Sequence, residues 1–236
     1  MSISTRKQKF LTRGLTSLIM AAVIIPTYFI AGGRYLSWVL RFGFLIAMIE
    51  FATVVCESYV LPLHANEYGA TSLIFVELLV CLIGLDRISV KLLGGCIFVC
   101  ACTDVAAYLM GTFSGGLLFK KRPFPKASPN KSFEGLLFGL SCGVISAFVL
   151  ALLAESAGEP VAFWRLAIAA PISVIGALVE SYFKRVYGVK DSNDYLIDAP
   201  ILKWPERLLG GRNGHGGYLD RLDSLALVIT LQLLIP

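Results

Sequence analysis

The chain has 236 residues, of which 56% are hydrophobic and 16% charged, with 21 Lys and Arg against 16 Asp and Glu. Soluble domains of this size are about one quarter charged, so the composition argues against a soluble protein. The net charge of +5 is gathered in loops without basic–aromatic interleaving, which excludes a nucleic-acid-binding role.

The apolar residues form long blocks rather than short periodic stripes. Most blocks approach the roughly 20 residues that cross about 30 Å of hydrocarbon, where the backbone must satisfy its own hydrogen bonds. We therefore predict an all-α, polytopic transmembrane helical bundle with about seven spans (six to eight). The blocks, of which the third and last are short, are Leu15–Gly32, Leu36–Cys56, Ala70–Leu85, Leu92–Gly111, Leu136–Ala154, Val161–Val179 and Leu222–Pro236.

Lys and Arg are concentrated in the N-terminal tail, in the loop after the fourth block and in the loop after the sixth. Because basic segments stay in the cytoplasm, we predict that the two polar loops share the cytoplasmic side and form the site. The first block is long for a signal peptide and lacks a small-residue cleavage motif, so we expect a retained helix.

Several polar side chains lie inside the apolar blocks. An acid within a span is rare and usually faces a partner or a cavity, which favours a function for Asp104. For Glu50 and Glu77, function and helix–helix hydrogen bonding both remain open. The six cysteines lack C-x-x-C spacing, and we interpret them as small packing residues.

The loop after the fourth block predicts a new helix start. Ser128 followed by Pro129 fits a cap and a first helical residue. Helix amides there, with Lys131 nearby, would attract phosphate. The alternative is a basic loop that touches lipid head groups.

The segment before the last block carries the densest charge. Asp220 and Asp223 share one face of a helix, and the preceding His215-Gly216-Gly217 permits a close backbone approach to a ligand. Such carboxylates suit a Mg²⁺ ion held partly by phosphate oxygens, with Lys184, Arg185 and Lys190 neutralising further charge. The alternative is an interfacial anchor with salt-bridged acids.

Two interrupted motifs carry a resemblance to a known family. The first reads Ser181-x-x-Lys184-Arg185-x4-Lys190-Asp191-Ser192, then Gly214-His215-Gly216-Gly217-x-x-Asp220-Arg221-x-Asp223-Ser224. The second comprises Asp104, Ala107-Tyr108 and Gly111, followed by Ser128-Pro129-Asn130-Lys131-Ser132-Phe133-Glu134-Gly135. From about Asp104 to the C-terminus, the chain resembles the phosphatidate cytidylyltransferase (CDP-diacylglycerol synthase) family.

The chain departs from the family pattern at three places. Residues 193–213 separate the two halves of the first motif, where the family usually has a handful of residues. Asn130 replaces a usual lysine. Ala177 stands where the family commonly has an aspartate that serves as a metal ligand. Three consequences stay open: Glu180, one helical turn further on, substitutes for it, the metal is held more weakly, or the protein has lost activity.

The resemblance implies synthesis of CDP-diacylglycerol and pyrophosphate from CTP and phosphatidate, by metal-assisted in-line attack on the CTP α-phosphorus. It implies Mg²⁺, alone or with a second cation, and a bilayer setting. It also implies a cytoplasm-facing site in the inner membrane of a bacterium or an equivalent membrane, and it leaves a homodimer open.

The resemblance also assigns residues to roles. Those at the metal are Asp220, Asp223, Asp191 and Glu180. Those assigned to catalysis are Asp220, Asp223, Lys184, Arg185, Lys190 and His215. Those assigned to substrate binding are Ser128, Lys131, Arg221, Gly216, Gly217 and Asp104. We also predict two regions in the chain. Residues 1–111 form N-terminal transmembrane helices, and residues 112–236 form the C-terminal catalytic region.

Other functions remain as alternatives. A CTP-dependent lipid kinase would share the nucleotide but transfer the γ-phosphoryl group. A degenerate, non-catalytic lipid- or nucleotide-binding membrane protein of the same family is favoured by Ala177 and the long insert. A transporter fits the intramembrane acids, but it fits less well with two phosphate-binding loops on one side.

Overall fold

The computed structural model describes residues 22, 24–58, 64–119, 121–189 and 217–235. Over these ranges it contains helices and connecting turns and no strand, which confirms the all-α prediction. The basic N-terminal tail, residues 15–21 and 23 of the first predicted span, and the insert at 193–213 lie outside the described residues.

A helical segment over residues 24–29 and seven further α-helices build the described part of the chain. The seven are α1 (Arg34–Glu57), α2 (Ala65–Gly84), α3 (Val90–Ser114), α4 (Phe133–Ser156), α5 (Phe163–Ala167), α6 (Ala169–Val186) and α7 (Leu219–Leu234). Short 3₁₀ turns at Ile30–Gly33 and Leu85–Arg87 precede α1 and follow α2.

Five segments of the described chain are long and apolar enough to cross a membrane, by their length and composition. They are Arg34–Cys56, Ala65–Arg87, Val90–Ser114, Phe133–Ser156 and Phe163–Val186. The third predicted block is therefore a full-length helix despite its short apolar run. The last predicted block forms α7, whose 16 residues span about 24 Å.

Helix α7 lies in the core of the bundle, where it packs against α6, α1, α2 and α3. Its residues Leu219, Val228 and Ile229 are at most 2% exposed. The outer helices instead present large apolar side chains outward, with Trp38 66% and Ile145 61% exposed. Large apolar patches on the outside of a bundle suit contact with lipid, so the chain is an integral membrane protein built around a buried α7.

A stripe of glycines brings α3 and α4 into close contact. A Cβ atom at Gly139 would lie 2.8 Å from the carbonyl oxygen of Thr103, and one at Gly135 would lie 2.7 Å from that of Ala107. Gly143 faces the Thr103 hydroxyl in the same way, at 2.2 Å. Small residues at every fourth position allow helix backbones to approach closely, so this stripe fixes α3 against α4 beside Asp104.

The two basic loops leave the same end of the bundle. Helix α3 runs into residues 115–132 there, and α6 runs into Tyr187–Val189; we call this the loop end. The opposite end holds the contacts Arg41–Asp86, Lys91–Glu159 and Arg165–Ile235. The described residues therefore confirm that both loops leave the bundle at one end.

The predicted helix start at Ser128 is wrong. Helix α4 begins at Phe133, and the cap is Ser132, whose hydroxyl accepts the N–H of Gly135 at 3.1 Å. The carbonyl of Ser128 accepts the N–H of Lys131 at 3.2 Å, within a turn. The start is set four residues later because Glu134, in the first turn of α4, is tied to the preceding loop by the contacts described below.

Candidate functional site

The first turn of α7 is held by carboxylates on three consecutive backbone amides. The N–H of Gly217 donates to Oδ2 of Asp220 at 2.6 Å. The next two amides, of Tyr218 and Leu219, donate to the two carboxylate oxygens of Glu50, each at 2.9 Å. The free N–H groups at a helix start are thereby satisfied, and negative charge lies where the helix dipole favours it.

Lys184 joins α6 to α7 beside this turn. Its ammonium contacts Oε2 of Glu180, one turn earlier on α6, at 2.9 Å and forms an ion pair with Asp220 on α7. The side chains of Lys184, Glu180 and Asp220 are only 12%, 3% and 11% exposed. The two halves of the first motif, 36 residues apart, therefore meet in a buried charge cluster.

Asp104 and Asp223 lie next to this cluster through Ser224. The Ser224 hydroxyl donates to Oδ2 of Asp104 at 3.1 Å, and its N–H donates to Oδ1 of Asp223 at 2.5 Å. The second motif on α3 is thus connected to the first motif on α7.

Lys131 brings a second positive charge to the same place. It is half-buried in the turn before α4, within electrostatic range of Asp223, Asp104 and Glu180. Burial lowers the pKa of Lys131 below its ordinary value, and these carboxylates partly offset that effect. A nearby phosphate would favour the charged ammonium in the same way.

A small cavity lies between α2, α6 and α7. Glu77, Glu180 and Asp223 line it, and its volume of about 10 Å³ accepts about one water molecule. One oxygen each of Glu77 and Glu180 is buried without a hydrogen-bond partner. A Cβ at Gly176 would lie 2.7 Å from the carbonyl of Asp223, so this glycine lets α6 approach α7 at the cavity.

Glu134 fixes the chain between α3 and α4. Its Oε1 accepts the N–H groups of Gly116, Leu118 and Phe119 at 3.1, 2.9 and 2.9 Å. One carboxylate oxygen therefore holds the start of the basic loop against the first turn of α4, near Lys131. The residue lies inside the second motif, but no role was predicted for it.

The structure gathers about half of the predicted site residues into one cluster. These residues are Asp104, Lys131, Glu180, Lys184, Asp220 and Asp223. Arg185 instead donates to the carbonyl of Val189 at 3.1 Å, Ser128 lies in the turn before Lys131, and Arg221 is half-buried on α7. Lys190, Asp191, His215 and Gly216 lie outside the described residues.

Two further acids, Glu50 and Glu77, contact the site from α1 and α2. Both are acids inside predicted apolar blocks, and this is the sequence signal that marks them. Their partners do not follow from the sequence, because Glu50 binds backbone amides and Glu77 faces a cavity.

The donor chemistry of the cluster fits a hard cation. Carboxylate oxygens are the ligands that Mg²⁺ prefers, and Glu180 has a buried oxygen without a partner. Among the described residues, no three His, Cys, Asp or Glu side chains are already arranged to hold a metal ion. Asp220 is instead engaged by Lys184 and by the amide of Gly217.

The chain matches a model of the Cytidylyltransferase family over residues 2–198. This match covers the N-terminal helices as well as the Ser181–Ser192 segment, so the similarity is wider than the motifs from Asp104 onward indicate. The Gly214–Ser224 segment lies beyond the matched range.

The chain is also similar to bacterial proteins named phosphatidate cytidylyltransferase. It is 37% identical to that of Helicobacter pylori strain 26695 over 121 residues, which cover 51% of this chain and 40% of the relative. It is 37% identical to that of Staphylococcus saprophyticus over 133 residues, or 55% and 42% of the two chains. For Haemophilus influenzae the identity is 37% over 131 residues, or 53% and 38%. The matched segment thus spans about two fifths of the length of these relatives.

Proposed function

The chain belongs to the Cytidylyltransferase family, and from this premise we propose that it transfers the cytidylyl group of CTP to phosphatidate. The products are CDP-diacylglycerol, a precursor of phospholipids, and pyrophosphate. The named relatives support this substrate pair. The single observation that carries the proposal is the buried contact of Lys184 with Asp220, which unites the two halves of the first motif.

The reaction needs positioning and charge neutralisation more than a strong base. A phosphate oxygen of phosphatidate is already a nucleophile and attacks the α-phosphorus of CTP. The bond from that phosphorus to the bridging oxygen breaks, and its electron pair leaves with pyrophosphate. Lys184 and Lys131 both lie beside the carboxylate cluster, where they can neutralise and orient the two anionic substrates.

We propose Mg²⁺, alone or with a second cation, as the cofactor. Asp220, Asp223 and Glu180 would hold it, with Glu180 in place of the aspartate that Ala177 lacks. When bound, the cation supplies charge stabilisation for the leaving pyrophosphate. Asp191, also assigned to the metal, lies outside the described residues.

We further propose that the loop end faces the cytoplasm of a bacterial cell, where CTP is available. Both basic loops leave the bundle at this end, in accord with the positive-inside rule. Phosphatidate would reach the site from the adjoining leaflet. A homodimer stays a prediction from the resemblance.

The test is incorporation of label from CTP into chloroform-soluble lipid by purified protein with phosphatidate and Mg²⁺. Label from α-³²P-CTP should enter the lipid with one pyrophosphate released per lipid, and Asp220→Asn should abolish incorporation. Asp86→Asn is the matched control, because Asp86 pairs with Arg41 at the opposite end of the bundle. Entry of γ-³²P instead of α-³²P would identify a lipid kinase and overturn the proposal.

A non-catalytic relative is the second candidate. Ala177 and the lack of a ready-made metal arrangement in the described residues favour it. CTP binding without any label transfer, across titrations of Mg²⁺ and Mn²⁺, would establish this alternative.

A further inference from the structure

We propose that Glu50 is a positioning residue that fixes the first turn of α7 and thereby sets the place of Asp220. The kinetic part of this inference rests on the proposed function. The structural part does not, because it concerns two hydrogen bonds between α1 and α7. No motif of the resemblance includes Glu50.

Glu50 is a buried residue of α1 whose carboxylate binds two backbone amides of the α7 start. The side chain lies on α1 between the buried residues Ala47 and Val54, and Glu50 is 2% exposed. Its two oxygens accept the N–H groups of Tyr218 and Leu219, which are 168 and 169 residues away in the sequence. One carboxylate therefore serves two adjacent amides of another helix.

A buried carboxylate at this place has a physical reason. An isolated ionised carboxyl group is costly to bury, whereas hydrogen bonds from amides to a charged acceptor are about twice as strong as neutral ones. The positive end of the α7 dipole adds further stabilisation. An apolar residue at this buried position would leave the amides of Tyr218 and Leu219 without their acceptor.

The effect of Glu50 reaches Asp220 through one turn of backbone. Asp220 follows Leu219 directly, and its own Oδ2 accepts the amide of Gly217. Residues 217–220 are thus fixed by two carboxylates, and Asp220 Oδ1 is left to face Lys184. If Glu50 is removed, the turn loses its two hydrogen bonds to α1, and the position of the Asp220 carboxylate is no longer fixed.

The far end of α7 is also held, so the helix cannot absorb a changed start by sliding. Arg165 donates to the carbonyls of Gln232 and Ile235 at 3.1 and 2.8 Å. The Gln232 amide donates back to the carbonyl of Arg165 at 2.6 Å. A negative group at the start and a positive group at the end both match the helix dipole. A loosened start should therefore appear as local opening at residues 217–220.

The test compares Glu50→Gln with Glu67→Gln in the full chain. Glu67 is the matched control, because its carboxylate also accepts a backbone N–H at a helix start, that of His64 at 2.6 Å, but at the exposed start of α2. Hydrogen–deuterium exchange of the amides of Tyr218 and Leu219 is the first readout. We expect exchange to rise about tenfold or more in Glu50→Gln, because loss of a charged acceptor shifts local opening by that order. It should stay unchanged at these amides in Glu67→Gln.

Enzyme kinetics are the second readout. We expect kcat to fall about tenfold or more in Glu50→Gln while KM for CTP changes little, because Asp220 is proposed to hold the cation that stabilises the leaving pyrophosphate, and its displacement affects the transition state most. Glu50→Asp keeps the charge on a shorter side chain and should retain more of the wild-type kcat than Glu50→Gln does. Equal falls for Glu50→Gln and Glu67→Gln, or equal losses for Glu50→Gln and Glu50→Asp, would overturn the positioning role.

A second pair of variants tests the same bond from the other side. Tyr218→Pro removes the N–H at a residue whose φ of −68° suits proline, and Tyr218→Ala removes the side chain but keeps the N–H. Exchange at Leu219 should be faster in Tyr218→Pro than in Tyr218→Ala; equal exchange would contradict the proposal. If the wild-type protein transfers no cytidylyl group, the proposed function fails, and the exchange data still decide the role of Glu50.

Discussion

Lys184 on α6 forms a buried ion pair with Asp220 on α7, and each of these residues belongs to a different half of the first motif. The same ammonium also contacts Glu180, so one positive charge serves two carboxylates. The pair is therefore a structural connection between α6 and α7 as well as a part of the candidate site.

Replacement of Lys184 by Met should destabilise the protein by about 3–5 kcal/mol, because two buried carboxylates, those of Glu180 and Asp220, lose the positive charge that they share. Thermal unfolding can be followed with a thiol-reactive fluorophore, since Cys81, Cys96 and Cys100 are buried in the folded protein.

Lys91→Met is the matched control for this variant. Lys91 pairs with Glu159 at the opposite end of the bundle, but the two side chains are 48% and 54% exposed. Exposed ion pairs contribute about 0–1 kcal/mol to stability, so this variant should unfold at a temperature close to that of the wild type. Equal shifts in the two variants would contradict a stabilising role for the buried pair.

Much of the fold could be predicted because long apolar blocks have few alternatives in a membrane. The blocks Leu92–Gly111 and Leu136–Ala154 lie within α3 and α4. Each block is shorter than its helix, because polar caps such as Ser89 and Ser132 precede the apolar residues. The wrong start at Ser128 followed a valid local rule, which the contact of Glu134 with the start of the same loop overrides.

The site could be predicted only in part. Motif spacing pointed to Lys184 and Asp220, but only the folded helices bring them together. Glu50 could not be assigned, because its partners are backbone amides that any residue type can supply. Long-range hydrogen bonds to the backbone leave no pattern in a single sequence.

Substitution of Gly139 by Ala should destabilise the bundle by about 1–3 kcal/mol, because the new methyl group would overlap the Thr103 carbonyl and the Ala107 side chain. Gly69→Ala is the matched control, since no atom beyond the adjacent backbone of α2 lies within 4 Å of its added Cβ. This second change should stabilise the protein by up to about 1 kcal/mol through helix propensity. Thermal unfolding of both variants measures the two shifts, and shifts of the same sign would contradict the close contact of α3 and α4.

Replacement of Glu134 by Ala should release the start of the basic loop, because three backbone amides lose their shared acceptor. We expect trypsin to cleave faster at the exposed Lys121, since cleavage of a folded protein follows local opening. Limited proteolysis with mass spectrometry measures this rate. Glu155→Ala, at the exposed far end of α4, should leave it unchanged. Equal cleavage rates in the two variants would show that Glu134 does not hold the loop.

The pH dependence of CTP binding should reveal whether the Lys131 ammonium contacts the triphosphate. Because burial lowers the pKa of Lys131, its ammonium loses its proton at a lower pH than an ordinary lysine, whose pKa is about 10.4. Only the protonated form attracts phosphate, so CTP affinity should decline on the alkaline side. In Lys131→Arg the charge persists above about pH 12, and the decline should move to higher pH.

Dissociation constants for CTP between about pH 7 and about pH 10 measure this shift. Lys131→Gln should bind CTP weakly throughout the range, because the charge is absent at every pH. Lys126→Arg on the same loop is the control, since Lys126 is exposed and should leave the wild-type profile in place. If the profiles of Lys131→Arg and the wild type superimpose, Lys131 does not contact the triphosphate, and the positive charge at the site comes from Lys184 and its neighbours.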